Sequence, residues 1–513
     1  MSLASYLDKG ASLGGDAPCL TLDGETRTYA QVVALSHDVS RALRRSGVGP
    51  GDPVGILSAN HPTSFTCVFG IARAGAVWCP INPRNAAGEN QELLDLFGCA
   101  ALLFQAKFAP LVAEIAPRLP ALTTLVCLDD PDPAVEGAVG FEAWLAAAAD
   151  DPVVDEGGDG LVALVGTGGT TGRPKGVELT DRNLETMSAI TLMAYPLDHR
   201  PVYLALAPLT HAAGVLCFPI LTQGGEIVVM AAPDVGGFLT LVQRHRVTHT
   251  FLPPTLIYMV LDHHDLDATD LSSLQCFWYG AAPMSTTRLA EACERIGPMA
   301  QLFGQSEAPM MVSTMSPADH RHPDGTLAVE RFASAGRPSP LVTVAIMAED
   351  GSLVGPGERG EIVVRSSLVM AGYHHNPEAT AEVSAHGWHH TGDVGYLDDE
   401  GWLFIVDRAK DMVITGGFNV YSAEVEQALM AHDAVADCAV VGLPDEKWGE
   451  RVVAAVQVRP GAEVSPDELI TFTKERIGSV KAPKQVLFWD DLPRSTVGKV
   501  LKTDVKARLA TES

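Results

Sequence analysis

Residues 166–176 hold the densest group of side chains and glycines that could bind phosphate. The segment reads Gly-Thr-Gly-Gly-Thr-Thr-Gly-Arg-Pro-Lys-Gly and follows an apolar run at residues 161–165. Glycines let successive backbone N–H groups converge on an anion, threonine hydroxyls add donors, and Lys175 adds a positive charge. The composition therefore predicts a phosphate-binding loop. A flexible Gly/Thr surface loop is the alternative, which the complete string Thr-Thr-Gly-Arg-Pro-Lys-Gly disfavours.

Two well-known nucleotide motifs do not describe this loop. In a Walker A loop Ser or Thr follows the lysine, whereas Gly176 follows Lys175 and Pro174 precedes it. In the dinucleotide fingerprint the third conserved position is glycine, and here it is Thr171. The loop must therefore hold phosphate in another way.

The elements that must position the loop alternate between strands and helices. A helix is expected at residues 63–74, and short apolar runs predict strands at residues 54–58, 76–81, 161–165, 202–206, 226–230 and 360–365. Short, continuously apolar runs are typical of buried parallel strands. The pattern indicates an α/β protein. After residue 407 it changes to about 100 residues of compact α+β, the size of a small separate domain.

Composition and charge narrow the function. The chain has 513 residues, of which 47% are apolar, so large cores can form. Asp and Glu outnumber Lys and Arg 63 to 36, and the resulting charge of −27 disfavours nucleic acid and anionic membranes as main partners. Nine scattered cysteines and no visible signal peptide predict free thiols in the cytoplasm.

Five ordered motifs resemble the adenylate-forming superfamily of acyl-CoA synthetases, luciferases and nonribosomal-peptide adenylation domains. Residues 166–176 resemble its T(S/G)G(T/S)TGxPKG loop, and residues 303–307 (Phe-Gly-Gln-Ser-Glu) resemble its aromatic-GxTE segment. Residues 388–395 resemble its TGD segment, residues 407–411 (Asp-Arg-Ala-Lys-Asp) its hinge and residues 493–499 its catalytic-lysine loop. With weaker matches from residue 28 onward, the resemblance covers nearly the whole chain.

The resemblance implies two domains joined by a hinge. Residues 1–407 would form a large N-terminal ATP- and acyl-binding domain built on layered α/β sheets. Residues 408–411 would form the hinge, and residues 412–513 a small, mobile α+β domain. Lys410 would be the pivot, a role that depends on backbone freedom more than on side-chain chemistry.

The resemblance also implies an ATP site. Glu307 would bind Mg²⁺ together with Thr170, and Asp393 would accept hydrogen bonds from both ribose hydroxyls. Phe303 would stack on adenine, and Arg408 would add a second nucleotide contact. Without the resemblance, Glu307 would be interpreted as an exposed glutamate and Asp393 as a turn aspartate. Phe303 would be a core aromatic ring and Arg408 a solvated arginine. The other implied ATP- or AMP-binding residues are Thr167, Gly168, Gly169, Thr171, Gly172, Lys175, Gly280, Ala281, Ala282, Gly304, Gln305 and Ser306.

Two catalytic residues follow from the resemblance. Lys499 would stabilise charge on the attacking carboxylate and the α-phosphate, a role suited to a compact ammonium on a flexible stem. Its exposed loop also makes it a candidate substrate for a lysine acetyltransferase. His211 stands where many members carry an aromatic gate between the acyl pocket and the CoA tunnel.

The CoA site is implied only in part. Gly416 and Gly417 would line the pantetheine tunnel, and Trp448 would lie near the CoA nucleotide. The chain has Val480 and Ala482 where 4-chlorobenzoate–CoA ligase has an aromatic and a basic residue, so Lys481 or Lys484 would have to substitute. Ser422 replaces a proline usual in the family, and we expect no effect beyond a looser turn.

The expected acyl pocket is apolar. Its candidate residues are Ile190, Ala213, Leu302, Pro309 and Met310, and neither lysine nor arginine for a second carboxylate is evident near them. An aliphatic or aromatic monocarboxylic acid is therefore expected. An amino acid is disfavoured because the acidic residue that holds its ammonium group is not evident. Chain length and ring substituents are not indicated.

These inferences predict an ATP- and Mg²⁺-dependent acid–CoA ligase that works through an acyl-adenylate and releases AMP and pyrophosphate. Its partners would be small molecules, namely the acid, ATP and CoA, without nucleic acid or integral membrane association. Whether the chain forms a homodimer is left open. The alternatives are an enzyme that loads a carrier protein, a luciferase-like oxygenase and an inactive nucleotide-binding homologue.

Overall fold

The computed structural model describes residues 2–130, 134–154, 160–167, 174–209, 212–408, 411–415, 418–445, 447–494 and 500–512. Its helices, numbered along the chain, are α1 (Leu3–Leu13), α2 (Tyr29–Arg45), α3 (Pro62–Arg73), α4 (Ala87–Phe97), α5 (Ala109–Ile115), α6 (Phe141–Ala147), α7 (Asp181–Ala194), α8 (Ala212–Thr222), α9 (Val235–His245), α10 (Pro254–Leu261), α11 (Thr286–Arg295), α12 (Pro377–Val383), α13 (Ser422–Met430), α14 (Pro466–Ile477) and α15 (Lys502–Glu512).

The strands follow the same numbering. They are β1 (Pro18–Leu22), β2 (Glu25–Thr28), β3 (Pro53–Leu57), β4 (Val77–Ile81), β5 (Ala101–Phe104), β6 (Thr124–Cys127), β7 (Ala138–Gly140), β8 (Leu161–Thr167), β9 (Lys175–Thr180), β10 (Val202–Ala205), β11 (Glu226–Val229), β12 (His249–Leu252), β13 (Cys276–Tyr279), β14 (Met299–Gln305), β15 (Ala308–Met315), β16 (Arg337–Pro338), β17 (Thr343–Met347), β18 (Gly360–Arg365), β19 (Gly372–Tyr373), β20 (His389–Leu397), β21 (Leu403–Arg408), β22 (Val413–Thr415), β23 (Phe418–Val420), β24 (Val435–Asp445), β25 (Gly449–Val458) and β26 (Gln485–Phe488).

Two large mixed sheets form the body of the molecule. Sheet A has the strand order β16-β15-β14-β13-β12-β10-β11-β1-β2, and sheet B the order β19-β9-β8-β4-β3-β5-β6-β7. In the centre of each sheet the pairing is parallel, as between β10 and β12 or β3 and β4. Parallel strands need crossover connections, which here are mostly helices, so the sheets alternate with helical layers. This arrangement confirms the predicted α/β fold with layered sheets.

Side-chain alternation explains why both faces of each sheet are covered. In β10, Tyr203 points into the core between sheets A and B, whereas Leu204 points into the core under α9, α10 and α11. In β3, Ile56 faces the same central core and Leu57 faces the core under α4 and α5. Successive side chains of a strand point to opposite faces, so continuous apolar runs fit sheets buried on both sides.

Sheet C, with the order β17-β18-β20-β21, is antiparallel. The prediction that residues 360–365 form a parallel strand is therefore wrong, although the strand itself is found as β18. Its outer residues Gly360 and Arg365 are less buried than Ile362, Val363 and Val364. An apolar centre alone does not distinguish parallel from antiparallel pairing.

The C-terminal part forms sheet D. Its order is β23-β22-β25-β24, with β26 pairing parallel to β25. Helices α13 and α14 pack on one face, and α15 packs with β24 and β25 on the other. The compact α+β character predicted for the part after residue 407 is found. The boundary at residues 408–411 and the mobility of this part stay predictions.

Candidate active site

A cavity of about 400 Å³ opens where the carboxyl ends of several parallel strands meet. Pro80 of β4, Leu206 after β10, Pro253 after β12 and Ala281 after β13 all line it. Open α/β sheets bind ligands beyond the carboxyl ends of their strands, because the connecting loops diverge there and leave a crevice. The sheet topology therefore makes this cavity the candidate active site.

The cavity joins two sets of residues that the sequence assigned to different ligands. Ala281, Gly304, Gln305 and Ser306 belong to the expected nucleotide site, and Pro309 and Met310 to the expected acyl pocket. The residues that complete its apolar wall are Trp78, Ala163, Val165, Leu179, Leu184, Ala207, Pro208, Val215, Pro233, Phe251 and Leu256.

Two other expected acyl-pocket residues lie elsewhere. Ile190 and Leu302 are buried in the central core and are not among the lining residues that the structure describes. The side chain of Ala213 is outside the described part. Arg84 lines the same cavity as Pro309 and Met310, so the expectation of no lysine or arginine near these residues is wrong, although Arg84 already has an interaction partner. Arg84 follows β4 in the string Asn-Pro-Arg, and its position at a strand's carboxyl end was the signal that could have found it.

The backbone of the cavity wall is tightly constrained. A Cβ placed on Gly304 would lie 2.4 Å from Met310 N and 2.7 Å from Ala308 O, so only glycine fits at this position. Met310 (φ 64°) and Ala281 (φ 66°) adopt left-handed conformations that side chains other than glycine rarely take. Such strained residues are found mostly at ligand sites, where the surrounding structure holds them in place.

Glu307 lies in the turn between β14 and β15 and accepts a hydrogen bond from the Tyr373 hydroxyl, with Oη 2.8 Å from Oε1. Burial and the adjacent Glu307 carboxylate raise the pKa of Tyr373, so its hydroxyl remains a donor. The ammonium of Lys175 lies 4.6 Å from the centre of the same ring. Tyr373 therefore links the predicted metal ligand to the lysine that ends the glycine-rich loop, a connection the sequence did not reveal.

Mg²⁺ fits this arrangement on chemical grounds. It is usually held by one or two carboxylates together with substrate phosphates, rather than by a cage of protein ligands. Glu307 supplies a carboxylate whose Oε1 is oriented by Tyr373, and Lys175 supplies positive charge for phosphate oxygens. The predicted role of Thr170 falls outside the described residues.

Asp393 and Arg408 are register partners on β20 and β21, with Arg408 Nε 2.8 Å from Asp393 Oδ1. The irregular stretch of β20 before Asp393 is held by Glu361, which pairs with His390 Nδ1 at 2.7 Å and accepts a hydrogen bond from Gly392 N at 3.0 Å. Gly392 needs its left-handed φ of 70° at this break in the strand register. Glu361 lies about thirty residues before the motif, so the sequence gave no reason to select it.

Four other predicted nucleotide-site residues are Phe303, Gln305, Gly280 and Ala282. Phe303 is half-buried and packs against the central core and against sheet C, so both stacking on adenine and a core role remain consistent with its position. Gln305 Nε2 lies 3.3 Å from His389 Nε2. Burial lowers the pKa of His389, which favours the neutral ring beside Gln305. Gly280 and Ala282 flank the cavity residue Ala281 in the loop after β13.

Comparison with known proteins identifies the family. A family model described as AMP-binding enzyme matches residues 7–374, and one described as AMP-binding enzyme C-terminal domain matches residues 424–499. The chain belongs to the AMP-binding enzyme family. No helix in the described part of this AMP-binding enzyme is long and apolar enough to cross a bilayer.

Two full-length relatives of this AMP-binding enzyme are named as acid–CoA ligases. It is 37% identical over 499 residues to medium/long-chain-fatty-acid–CoA ligase FadD8 of Mycobacterium tuberculosis, covering 94% of this chain and 86% of FadD8. It is 36% identical over 512 residues to a feruloyl-CoA synthase of Amycolatopsis sp, covering 99% of each. The amide bond synthetase McbA of Marinactinospora thermotolerans matches with a TM-score of 0.89 and 30% identity, over 99% of this chain and 100% of McbA.

These matches confirm the prediction of an AMP-forming acyl-CoA synthetase of the adenylate-forming superfamily. They also confirm the use of ATP, Mg²⁺ and CoA, and a small-molecule acid as substrate. The alternative acceptors are not favoured, since the full-length relatives at 36–37% identity are CoA ligases.

Several predicted site residues of this AMP-binding enzyme fall outside the described part of the structure. They are Gly168, Gly169, Thr170, Thr171, Gly172, His211, Lys410, Gly416, Gly417 and Lys499. Their roles stay predictions. Arg494, the last described residue before Lys499, lies beside the cavity, because its Nη1 is 3.5 Å from Oγ1 of Thr255, a lining residue.

The predicted CoA side of the enzyme is partly described. Trp448 is 45% exposed, and Lys447 lies over its ring at 4.8 Å. Lys481 forms an ion pair with Glu424, and Lys484 donates to the carbonyl of Ser479. The expectation that Ser422 only loosens a turn is wrong, because its N–H and its hydroxyl both donate to Asp407 Oδ2.

Proposed function

We propose that this AMP-binding enzyme converts an apolar monocarboxylic acid into its CoA thioester through an acyl-adenylate. The observation that carries the proposal is the shared cavity, in which Gly304, Gln305 and Ser306 lie beside an apolar wall formed by Met310 and the aromatic rings of Trp78 and Phe251. A cavity of this kind would bring the carboxylate of an apolar acid next to a nucleotide. The activities of FadD8 and the feruloyl-CoA synthase make fatty acids and aryl propenoic acids the two classes to test.

In the first half-reaction a carboxylate oxygen attacks the α-phosphorus of ATP. A new P–O bond forms, the bond to the pyrophosphate oxygen breaks, and pyrophosphate leaves with that electron pair. Lys175 would bind phosphate oxygens, and Lys499 would stabilise the charge that develops between the carboxylate and the α-phosphate. Mg²⁺, when bound at Glu307, would neutralise phosphate charge. Asp393 and Arg408 would hold the ribose and so keep the α-phosphate in place.

In the second half-reaction the sulfur of CoA attacks the acyl carbon. The C–S bond forms, the C–O bond to the phosphate breaks, and AMP leaves while the thiol proton is lost to solvent or a base. Rotation of residues 412–513 about Lys410 would withdraw Lys499 and place Gly416, Gly417 and Trp448 near the thiol. His211 would open or close the path between the acyl group and CoA.

A screen of pyrophosphate release with and without CoA tests the proposal. A series of fatty acids and a series of aryl propenoic acids are each offered, and thioester is identified by mass spectrometry. We expect release with at least one class and thioester only when CoA is present. Lys499→Ala should suppress acyl-adenylate formation and spare thioester formation from a preformed acyl-adenylate. Thioester formation on a phosphopantetheinylated carrier protein but not on free CoA would replace this proposal with the carrier-loading alternative.

Three further proposals concern location, assembly and modification. The nine cysteines are buried as free thiols, which supports a reducing compartment and hence the cytoplasm. A homodimer stays an open prediction that sedimentation would test. Acetylation of Lys499 would remove the charge needed for adenylation, and acetyl-Lys499 enzyme with full activity would rule that regulation out.

A further inference from the structure

A chain of polar contacts joins sheet C to sheet D through buried residues. Asp407, near the end of β21, is 5% exposed, and Ser422, the first residue of α13, is fully buried. Ser422 Oγ donates to Asp407 Oδ2 at 2.7 Å, and Ser422 N donates to the same oxygen. Lys502, the first residue of α15, donates to Ser422 Oγ and pairs with Glu426 Oε1 at 2.8 Å. A serine hydroxyl can donate one hydrogen bond and accept another, so the Ser422 hydroxyl donates to Asp407 and accepts from Lys502 at the same time.

The contacts continue from Asp407 through Arg408 to Asp393, the predicted ribose ligand. Asp407 Oδ1 accepts a hydrogen bond from Arg408 N at 2.8 Å, and the Arg408 side chain pairs with Asp393. At the other end, Lys502 lies three residues after Lys499 in the sequence. The network therefore connects the carboxylate predicted to bind ribose with the segment that carries the predicted catalytic lysine.

The charges in the network hold it in this arrangement. Burial alone would lower the pKa of Lys502, but Glu426 and Asp407 outweigh burial and raise it, so the ammonium stays charged. Burial raises the pKa of Glu426 although Lys502 opposes that change. A buried charge without a partner is strongly unfavourable. Lys502 keeps Glu426 as a partner within residues 412–513, whereas its link to Asp407 exists only while sheet D sits against β21.

We propose that Ser422 and Lys502 are positioning residues that hold the small domain in the adenylation orientation. The inference rests on the proposed two-step function, in which residues 412–513 rotate about the hinge. Rotation about Lys410 would separate Asp407 from Ser422, so their hydrogen bonds stabilise one orientation and are absent from the other. In the orientation described here Arg494 lies next to Thr255 at the cavity, which places the start of the Lys499 loop at the site of adenylation.

Ser422 offers a sharp test because proline is sterically tolerated there. Ser422 is the first residue of α13, and the N–H of a first helical residue has no partner within the helix. Tyr421, the residue before it, has the extended backbone conformation that a residue preceding proline prefers. Ser422→Pro therefore removes both donors to Asp407 while keeping the helix. Ser422→Ala removes only the hydroxyl. Lys506→Met is the matched control for Lys502→Met, because Lys506 lies one turn later in α15 and pairs with Glu450 at an exposed position.

The first measurement separates the two half-reactions. We expect Ser422→Pro and Lys502→Met to slow acid-dependent ATP–pyrophosphate exchange by about tenfold, which is the usual effect of losing a hydrogen bond to a charged group. Ser422→Ala should slow the exchange less, because it removes only the hydroxyl. Thioester formation from preformed acyl-adenylate should be unchanged or faster, and Lys506→Met should match the parent in both. Equal slowing of both half-reactions, or a lower melting temperature with both rates unchanged, would overturn the proposal.

A second measurement does not depend on activity. Nitroxide labels at Glu349→Cys, exposed in the turn after β17, and at Glu475→Cys, exposed in α14, report the distance between the domains, and the native cysteines are buried. We expect one narrow distance distribution in the parent and a broader one in Ser422→Pro and Lys502→Met, but not in Lys506→Met. Unchanged distributions would refute the positioning role. Absence of pyrophosphate exchange in the parent would instead refute the proposed function and leave the distance result to decide this inference.

Discussion

Arg408 Nε lies 2.8 Å from Oδ1 of Asp393, and the two residues face each other on β20 and β21. Asp393 is buried, whereas the Arg408 side chain is partly exposed at the end of its strand, next to the predicted hinge. The pair thus ties the carboxylate of Asp393 to β21, the last strand before residues 409–411. This relationship leads to a prediction about nucleotide binding.

Asp393→Asn should weaken ATP binding, because an amide oxygen accepts ribose hydroxyls less strongly than a carboxylate and loses its pairing with Arg408. We expect KM for ATP to rise by about tenfold, as for the loss of a charge-assisted hydrogen bond. Initial rates of pyrophosphate release over a range of ATP concentrations measure this effect. Asp399→Asn, at an exposed turn beyond β20, should leave KM unchanged. An unchanged KM in Asp393→Asn would remove the ribose assignment.

Tyr373→Phe should weaken the response to Mg²⁺. The phenylalanine keeps the ring over Lys175 but removes the hydroxyl that orients Glu307. We expect the Mg²⁺ concentration for half-maximal rate to rise several-fold and at most about tenfold. Tyr396→Phe, whose ring stacks on Phe404 in sheet C, is the control. If both variants titrate with Mg²⁺ like the parent, Tyr373 does not act through Glu307.

Gly304→Ala should disrupt the cavity, because its Cβ would meet the backbone at Met310 N and Ala308 O. Backbone atoms cannot move aside as a flexible side chain can, so the hairpin between β14 and β15 must shift. We expect adenylation to fall by at least about tenfold and stability by roughly 1–3 kcal/mol. Gly49→Ala, where nothing lies within 4 Å of the added carbon, should be nearly neutral. Full adenylation activity in Gly304→Ala would contradict the tight packing at this wall.

Two buried histidines should make the fold sensitive to acid. Burial lowers the pKa of His249 and of His320 from 6.5 to about 4. Because each folded-state pKa lies below the unfolded one, the unfolded chain binds more protons, and the free energy of unfolding falls as pH drops through this window. Each histidine should cost roughly 3 kcal/mol between neutral pH and pH about 4.

Urea unfolding at a series of pH values checks this expectation. His249→Gln should be less stable than the parent at neutral pH but should lose less stability on acidification. His264→Gln, at an exposed position, should keep the pH dependence of the parent. Parallel pH profiles for the parent and His249→Gln would show that His249 does not contribute to the acid sensitivity.

The predicted hinge can be tested by two substitutions that remove the same charge. Proline fixes φ near −65° and removes an N–H, so Lys410→Pro should hold the small domain in one orientation. If this is the adenylation orientation, pyrophosphate release persists and thioester formation becomes very slow. Lys410→Ala should retain most activity in both half-reactions. Equal damage to the thioester step by Ala and Pro would show that Lys410 acts through its side chain.

Much of the fold followed from local sequence patterns. The apolar runs that became β3, β4, β8, β10 and β11 are short and continuous because both faces of their sheets are buried. The pairing direction of residues 360–365 was mispredicted, because an apolar run reports burial and not the direction of the neighbouring strand.

Some residues of the candidate site could also be predicted from the sequence and others could not. Glu307 and Asp393 could be selected from the sequence because each belongs to a short motif that resembles one of the family's. Tyr373 could not, since it reaches the site from another element and carries no local signal. Arg84 carried only the general signal of its position at the carboxyl end of β4.

The sequence by itself thus determined which family's chemistry this protein shares. The glycine-rich loop and the short motifs that resemble the family's were enough for that. Tertiary structure decided which side chains complete those motifs. Ser422, where the family usually has proline, was expected only to loosen a turn, but in the fold it donates to the buried carboxylate of Asp407, fifteen residues away. The physical reason is that a motif encodes contacts within a few residues, whereas burial and hydrogen-bond partners depend on how distant elements pack.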